Sequence, residues 1–109
     1  MKRTGSVSEI VESREVGGST LQLHASAEAD YVESRGGIEV TLTAKWLRVN
    51  QRGRDQELKA SWLPAGEKVF ETVDRHEAGD ALHAIFKSWL RRVREAIPST
   101  LDGRDLPRS

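Results

Sequence analysis

The chain of 109 residues contains no cysteine, which excludes disulfides, zinc ribbons and thiol nucleophiles. It has no excess charge of one sign, because 17 basic side chains balance 17 acidic ones. Proteins that hold duplex nucleic acid non-specifically usually carry a clear basic excess. No stretch approaches the roughly 18 apolar residues of a membrane span, and no apolar stretch typical of a signal peptide follows the N-terminal charges. We therefore expect a cytoplasmic protein without a membrane partner.

The length fits one domain. Residues 1–8 are polar and unpatterned, which predicts a flexible N-terminal tail. Residues 98–109 begin with Pro98 and show no periodicity, which predicts a flexible C-terminal tail. A single domain over residues 9–97 lies between them.

Most of this domain alternates apolar and polar residues with a period of two, which is typical of strands. The clearest run extends from Leu21 to Tyr31, and Ile38 to Trp46 repeats it. After Trp46 the apolar parity changes, which indicates a bulge or a strand end buried on both faces. Weaker runs predict three more short strands: Glu9–Val16, Leu58–Trp62 and Val69–Val73.

Beyond the last strand the period changes to 3.6, which predicts a long amphipathic helix that ends before Pro98. Asp74 and Glu77 have the spacing of a capping box. The apolar stripe is Ala78, Leu82, Ile85, Phe86, Trp89, Val93 and Ala96.

The predicted fold is α+β: an antiparallel β-meander of four to five strands with one long C-terminal amphipathic helix packed on one face. Small Ala25, Ala27 and Ala29 provide a seat for Phe86 and Trp89. A helix about 10–12 Å wide is narrower than such a sheet. We therefore expect uncovered apolar surface and a homodimer. The residues expected on the uncovered side are Val32, Leu47, Val49, Leu63 and Phe70.

Two groups of side chains are candidate sites. His76, Asp80 and His83 have spacings that place them on one helix stripe, where they are a weak candidate for a metal site. A solvated helix start explains them better, so no metal and no cofactor is expected. Basic residues on the helix and in the loop before Leu58 form a candidate binding surface, although the helix dipole accounts for most of the helical ones. These residues are Lys87, Arg91, Arg94, Arg52 and Arg54.

The order of elements resembles that of two families. The segment from Ile38 to Ile97 resembles the three strands and helix that end the domain of the ribosome hibernation promoting factors. Those factors have an additional helix where this chain alternates from Leu21 to Tyr31. The sheet-then-helix order also resembles the Pur-alpha repeats, which bind single-stranded nucleic acid and dimerise. No motif of either family matches residue by residue.

No phosphate-binding loop, nucleophile elbow or carboxylate pair stands out, so an enzyme is not expected. The leading hypothesis is a small non-enzymatic interaction module, homodimeric, that binds another protein through its sheet or helix surface. The alternative is a single-stranded nucleic-acid or ribosome-associated binding protein that uses the basic helix stripe.

Overall fold

The computed structural model describes residues 2–49 and 55–98, with side chains from Gly5 onward. Five strands precede one long helix, which confirms the predicted α+β class. No helix in these two ranges has the length and apolarity to cross a membrane. The elements are β1 (Lys2–Val16), β2 (Ser19–Val32), β3 (Gly37–Val49), β4 (Gln56–Leu58), β5 (Glu67–Thr72) and α1 (Ala78–Ala96).

The five strands form one antiparallel sheet that is four strands wide. Strands β1, β2 and β3 follow one another as a meander. The other edge of β3 is shared, because β5 pairs with Gly37–Leu42 and β4 pairs with Trp46–Arg48. Between these two partners, β3 has no described strand beside residues 43–45. The edge of β3 that faces away from β2 is thus interrupted at its middle.

Strand β1 begins earlier than the sequence indicates. The predicted tail over residues 1–8 is wrong, since β1 starts at Lys2 and Gly5 already pairs with Ala29 of β2. Register shifts near Gly5 and after Ile10 explain why its alternation is weak in the sequence. Gly17 and Gly18 form the tight turn between β1 and β2, and both residues have positive φ.

Strand β3 has no bulge where its apolar pattern changes. Its register with β2 runs unbroken to the pair of Thr20 and Val49. Leu47 and Val49 consequently lie on the face of the sheet opposite α1, which we call the outer face. The predicted strand over Leu58–Trp62 is also displaced, because β4 ends at Leu58 and Trp62 lies in the turn that follows.

Helix α1 begins at Ala78 after a short 3-10 turn over Arg75–Glu77. The predicted capping box is wrong, because the Asp74 side chain makes no capping hydrogen bond. Instead, the backbone carbonyl of Asp74 accepts a hydrogen bond from the Glu77 amide at 2.9 Å. The Glu77 amide, which a capping side chain would otherwise bind, thereby has a backbone partner within the turn.

The core lies between α1 and the sheet. Ala25, Ala27 and Ala29 are fully buried on β2, and Phe86 and Trp89 of α1 belong to the same core cluster. This arrangement confirms the predicted seat of small residues beneath the helix. The Trp62 ring packs edge-on against Trp46 with centroids 5.4 Å apart, and so extends the core along β3.

The outer face is more polar than the sequence suggests. Three hydroxyl residues lie side by side at its centre: Ser8 on β1, Ser26 on β2 and Thr43 on β3. The Ser26 and Thr43 hydroxyls are 2.6 Å apart. Leu63, expected on this side, packs instead against the core. Among the described side chains, Ile10 is the one large hydrophobic that is mostly exposed, at 50%. The excess of apolar outer surface is therefore smaller than predicted.

Candidate functional site

An open groove of about 310 Å³ runs between α1 and the edge strand β5. We call it the α1–β5 groove. It exists because α1 crosses the sheet above β1, β2 and β3 and leaves the β5 side partly uncovered. The lining residues are Leu42, Glu67, Val69, Glu71, Ala84, Ile85, Ser88, Trp89 and Arg92.

The floor of the groove is apolar and continuous with the core. Leu42 and Trp89 are buried, while Val69 and Ile85 are partly buried and border the opening. On the helix side, Ala84 and Ser88 are small exposed residues one turn apart. Small residues at this spacing leave room for another chain to approach the helix backbone closely.

The position of Trp89 follows from the interruption in the β3 edge. Thr43 lies where β3 has no strand partner on the edge away from β2, and the Trp89 indole Nε1 donates a hydrogen bond to the Thr43 carbonyl at 3.0 Å. A buried carbonyl without a partner costs free energy, so this bond replaces a missing ladder bond. Trp89 is thereby fixed as the rear wall of the groove.

One end of the groove is closed by a charged pair. The Arg92 guanidinium donates to both carboxylate oxygens of Glu67, at 2.5 and 3.0 Å, and also lies 5.0 Å from the centroid of the Trp89 ring. These hydrogen bonds lower the pKa of the Glu67 carboxyl below its ordinary value of 4.5. Because folding lowers this pKa, the contribution of the pair to stability is present at neutral pH and is lost as the pH falls through the folded-state value.

The other end carries a carboxylate without such a partner. Glu71 is exposed, lies on the same face of β5 as Glu67 and Val69, and forms no ion pair with any described residue. The side of β5 that faces away from β3 also has no strand partner in the described ranges. An apolar groove, one free carboxylate and an unpaired strand edge therefore meet at one place.

Three of the basic residues predicted from the sequence, Lys87, Arg91 and Arg94, lie along one stripe of α1, but their charges are not equally free. Arg94 donates a hydrogen bond to Glu9 of β1 at 2.9 Å, so its charge is used within the chain. Lys87 and Arg91 are exposed on α1 and have no ion-pair partner in the described part of the chain. Arg52 and Arg54 lie outside the described residues.

The three metal-ligand candidates are all exposed. His76 lies in the 3-10 turn, whereas Asp80 and His83 lie near the start of α1. Over residues 2–49 and 55–98, no group of three or more His, Cys, Asp or Glu side chains is arranged to hold a metal ion. The structure thus adds no geometric support for a metal at these positions.

A second depression, of about 530 Å³, lies on the outer face. Its lining combines hydroxyls with His24 and Lys45 and with the acidic Glu28 and Asp55. His24 is engaged with Gln22, whose side-chain oxygen lies 2.9 Å from its Nε2. Opposite charges and hydroxyls are mixed here with a single apolar residue, Leu47, so this surface favours no particular ligand chemistry.

Sequence reasoning missed the α1–β5 groove. Ile85 belongs to the predicted helix stripe and Val69 to the predicted last strand, but no pattern in the sequence places the two beside each other. The only signal in the sequence is the shortness of the last strand, since six residues offer the helix little surface at that edge. Comparison with protein-family models, curated proteins and solved structures finds no significant match to this chain.

Proposed function

We propose that the protein is a non-enzymatic interaction module that binds an extended segment of another protein in the α1–β5 groove. The observation that carries this proposal is the coincidence of the open apolar groove with the unpaired edge of β5. Extended peptides add to sheet edges through main-chain hydrogen bonds, and pockets beside the edge take alternate side chains. The groove beside Val69 supplies such a pocket.

The size of the groove supports a peptide side chain as its occupant. A volume of about 310 Å³ accommodates one large aliphatic side chain together with part of a neighbouring residue. Trp89 and Ile85 supply apolar walls, and the exposed Ala84 and Ser88 admit a chain alongside the helix. The bound segment would then lie between the helix and the last strand as a further strand of the sheet.

Replacing Ile85 with lysine is expected to weaken peptide binding at least tenfold, because a charged side chain would enter the apolar pocket. The probe is the blocked peptide acetyl-Thr-Arg-Thr-Leu-Thr-Thr-amide, titrated while the amide resonances of the protein are followed. His83→Lys is the control, since His83 is exposed on the same helix and does not line the groove. Equal binding by both variants would contradict the proposal.

We further propose that the protein is a homodimer in which the β1 strands of two copies pair along their free edges. In the described ranges β1 pairs only with β2, although it is 15 residues long. An antiparallel pair of identical strands obeys two-fold symmetry. A register centred on Ser8 places Ser6 opposite Ile10 of the partner subunit, whereas one centred on Glu9 would oppose two carboxylates.

Proline substitution tests this dimer without disturbing the groove. Successive residues of a strand direct their N–H groups to opposite sides, so either Val7 or Ser8 directs its amide away from β2. Of Val7→Pro and Ser8→Pro, one is expected to remain folded and become monomeric in light scattering. A wild-type chain that is monomeric at every accessible concentration would contradict the dimer and leave the peptide proposal standing.

The nucleic-acid alternative receives less support. Of the helix stripe, only Lys87 and Arg91 are free of ion pairs with described residues, while Arg94 and the neighbouring Arg92 are engaged with Glu9 and Glu67. Two free cations neutralise few phosphates and give a shallow salt dependence. The basic stripe is therefore not the surface on which the proposed function rests.

A further inference from the structure

We infer that the α1–β5 groove selects segments in which a basic residue precedes a large apolar residue by two positions. This inference rests on the proposed function and specifies the chemistry of its partner. It follows from the order in which three side chains of β5 face the groove: Glu67, Val69 and Glu71.

The alternation of a strand fixes which residues of the bound segment enter the groove. In an antiparallel pair, directly opposite residues share a face. Val40, Leu42 and Ile38 are buried beneath α1 and pair with Val69, Glu67 and Glu71, so all three β5 residues face the helix side. A segment added to β5 would thus direct every second side chain into the groove.

The central of these side chains is apolar. A residue opposite Val69 reaches the pocket bordered by Ile85 and Trp89. Because these walls are apolar and buried or partly buried, a large aliphatic side chain binds there favourably and a charged side chain does not. Leucine, isoleucine and methionine fit this position by size and polarity.

The two flanking positions differ in charge. The carboxylate of Glu67 is already neutralised by two hydrogen bonds from Arg92, and the Arg92 guanidinium repels a second cation there. The carboxylate of Glu71 has no ion-pair partner among the described residues and remains open to a lysine or arginine. Only one of the two neighbouring positions therefore attracts a basic side chain.

The direction of the added strand determines whether the basic residue comes before or after the apolar residue in the bound segment. Antiparallel pairing is slightly more stable per residue than parallel pairing. In an antiparallel segment, the residue opposite Glu71 comes two positions before the residue opposite Val69. The favoured order is thus basic, any residue, apolar; the reverse order places the cation beside Arg92.

Two peptides of identical composition test the order. Acetyl-Thr-Arg-Thr-Leu-Thr-Thr-amide has the favoured order, and acetyl-Thr-Thr-Leu-Thr-Arg-Thr-amide reverses it. Since an exposed ion pair contributes about 0.2–1 kcal/mol, the favoured peptide is expected to bind roughly 1.4- to fivefold more tightly in low salt. The preference should shrink as salt is added, because both charges are accessible to solvent.

Charge reversal provides the decisive control. Glu71→Lys is expected to abolish the preference for the arginine peptide and to favour acetyl-Thr-Glu-Thr-Leu-Thr-Thr-amide instead. Glu71 is exposed, so this variant should fold normally. Equal binding of the two arginine peptides, both weakened by Ile85→Lys, would overturn the order inference and leave the proposed function intact. Failure of both peptides to bind would contradict the proposed function itself.

Discussion

Replacing Trp89 with alanine is expected to lower the free energy of unfolding by about 3–5 kcal/mol, the range observed for a fully buried tryptophan or phenylalanine. Small domains have only about 5–15 kcal/mol to lose, so this is a large fraction of the total. The loss combines the cavity beneath α1 with the removal of the hydrogen bond to the Thr43 carbonyl. Urea unfolding followed by far-ultraviolet circular dichroism measures it.

Trp89→Phe separates the hydrogen bond from most of the packing. A buried carbonyl left without a donor costs about 1–3 kcal/mol, which should be the main part of the Phe effect. Trp62→Phe is the matched control, since Trp62 Nε1 has no hydrogen-bond partner in the described structure. The control should cost less than Trp89→Phe. Equal stability of the two variants would contradict a stabilising hydrogen bond from Trp89 to the Thr43 carbonyl.

Replacing Ala27 with leucine is expected to cost about 1–3 kcal/mol, because the added methylenes have no space between β2 and α1. Ala27 is fully buried and shares the core cluster with Phe86 and Trp89. For a domain of this size each kilocalorie lowers the melting temperature by roughly 4–8 °C. Differential scanning calorimetry measures the change.

Ala84→Leu adds the same bulk on the exposed side of α1, where alanine and leucine differ little in helix propensity. Its melting temperature should stay close to that of the wild type. The same variant should weaken peptide binding, since Ala84 borders the α1–β5 groove. An unchanged melting temperature for Ala27→Leu would contradict the placement of α1 over the alanine row.

A strand that is paired along both edges and buried on one face was predictable from the sequence. Burial of one face makes apolar and polar residues alternate regularly along such a strand. Strand β2 pairs along its whole length with β1 and β3, and its alternation from Leu21 to Tyr31 is correspondingly regular. The apolar stripe of α1 was predictable because burial of one side of a helix imposes a period of 3.6 residues. Of strand β1 only Glu9–Val16 was predicted, since its outer edge is open and its two register shifts interrupt the pattern.

The candidate site was not predictable from composition or spacing. It depends on where α1 crosses the sheet and on two strands sharing one edge of β3, and neither is encoded in a local pattern. Trp89 illustrates this difficulty. Its place in the apolar stripe predicted burial, but its hydrogen bond joins it to a residue 46 positions away. Likewise, Glu71 becomes distinctive only because Arg92 neutralises Glu67 beside it.

Hydrogen exchange of the β5 backbone amides, measured with and without acetyl-Thr-Arg-Thr-Leu-Thr-Thr-amide, tests the central claim most directly. Strand addition would slow exchange at alternate amides of Glu67–Thr72, namely those that face away from β3, and leave β1 unchanged. The account predicts this alternating protection together with a shift of the Trp89 indole resonance. Unchanged exchange along β5 when the peptide is bound, or protection confined to β1 or to the outer face, would contradict it.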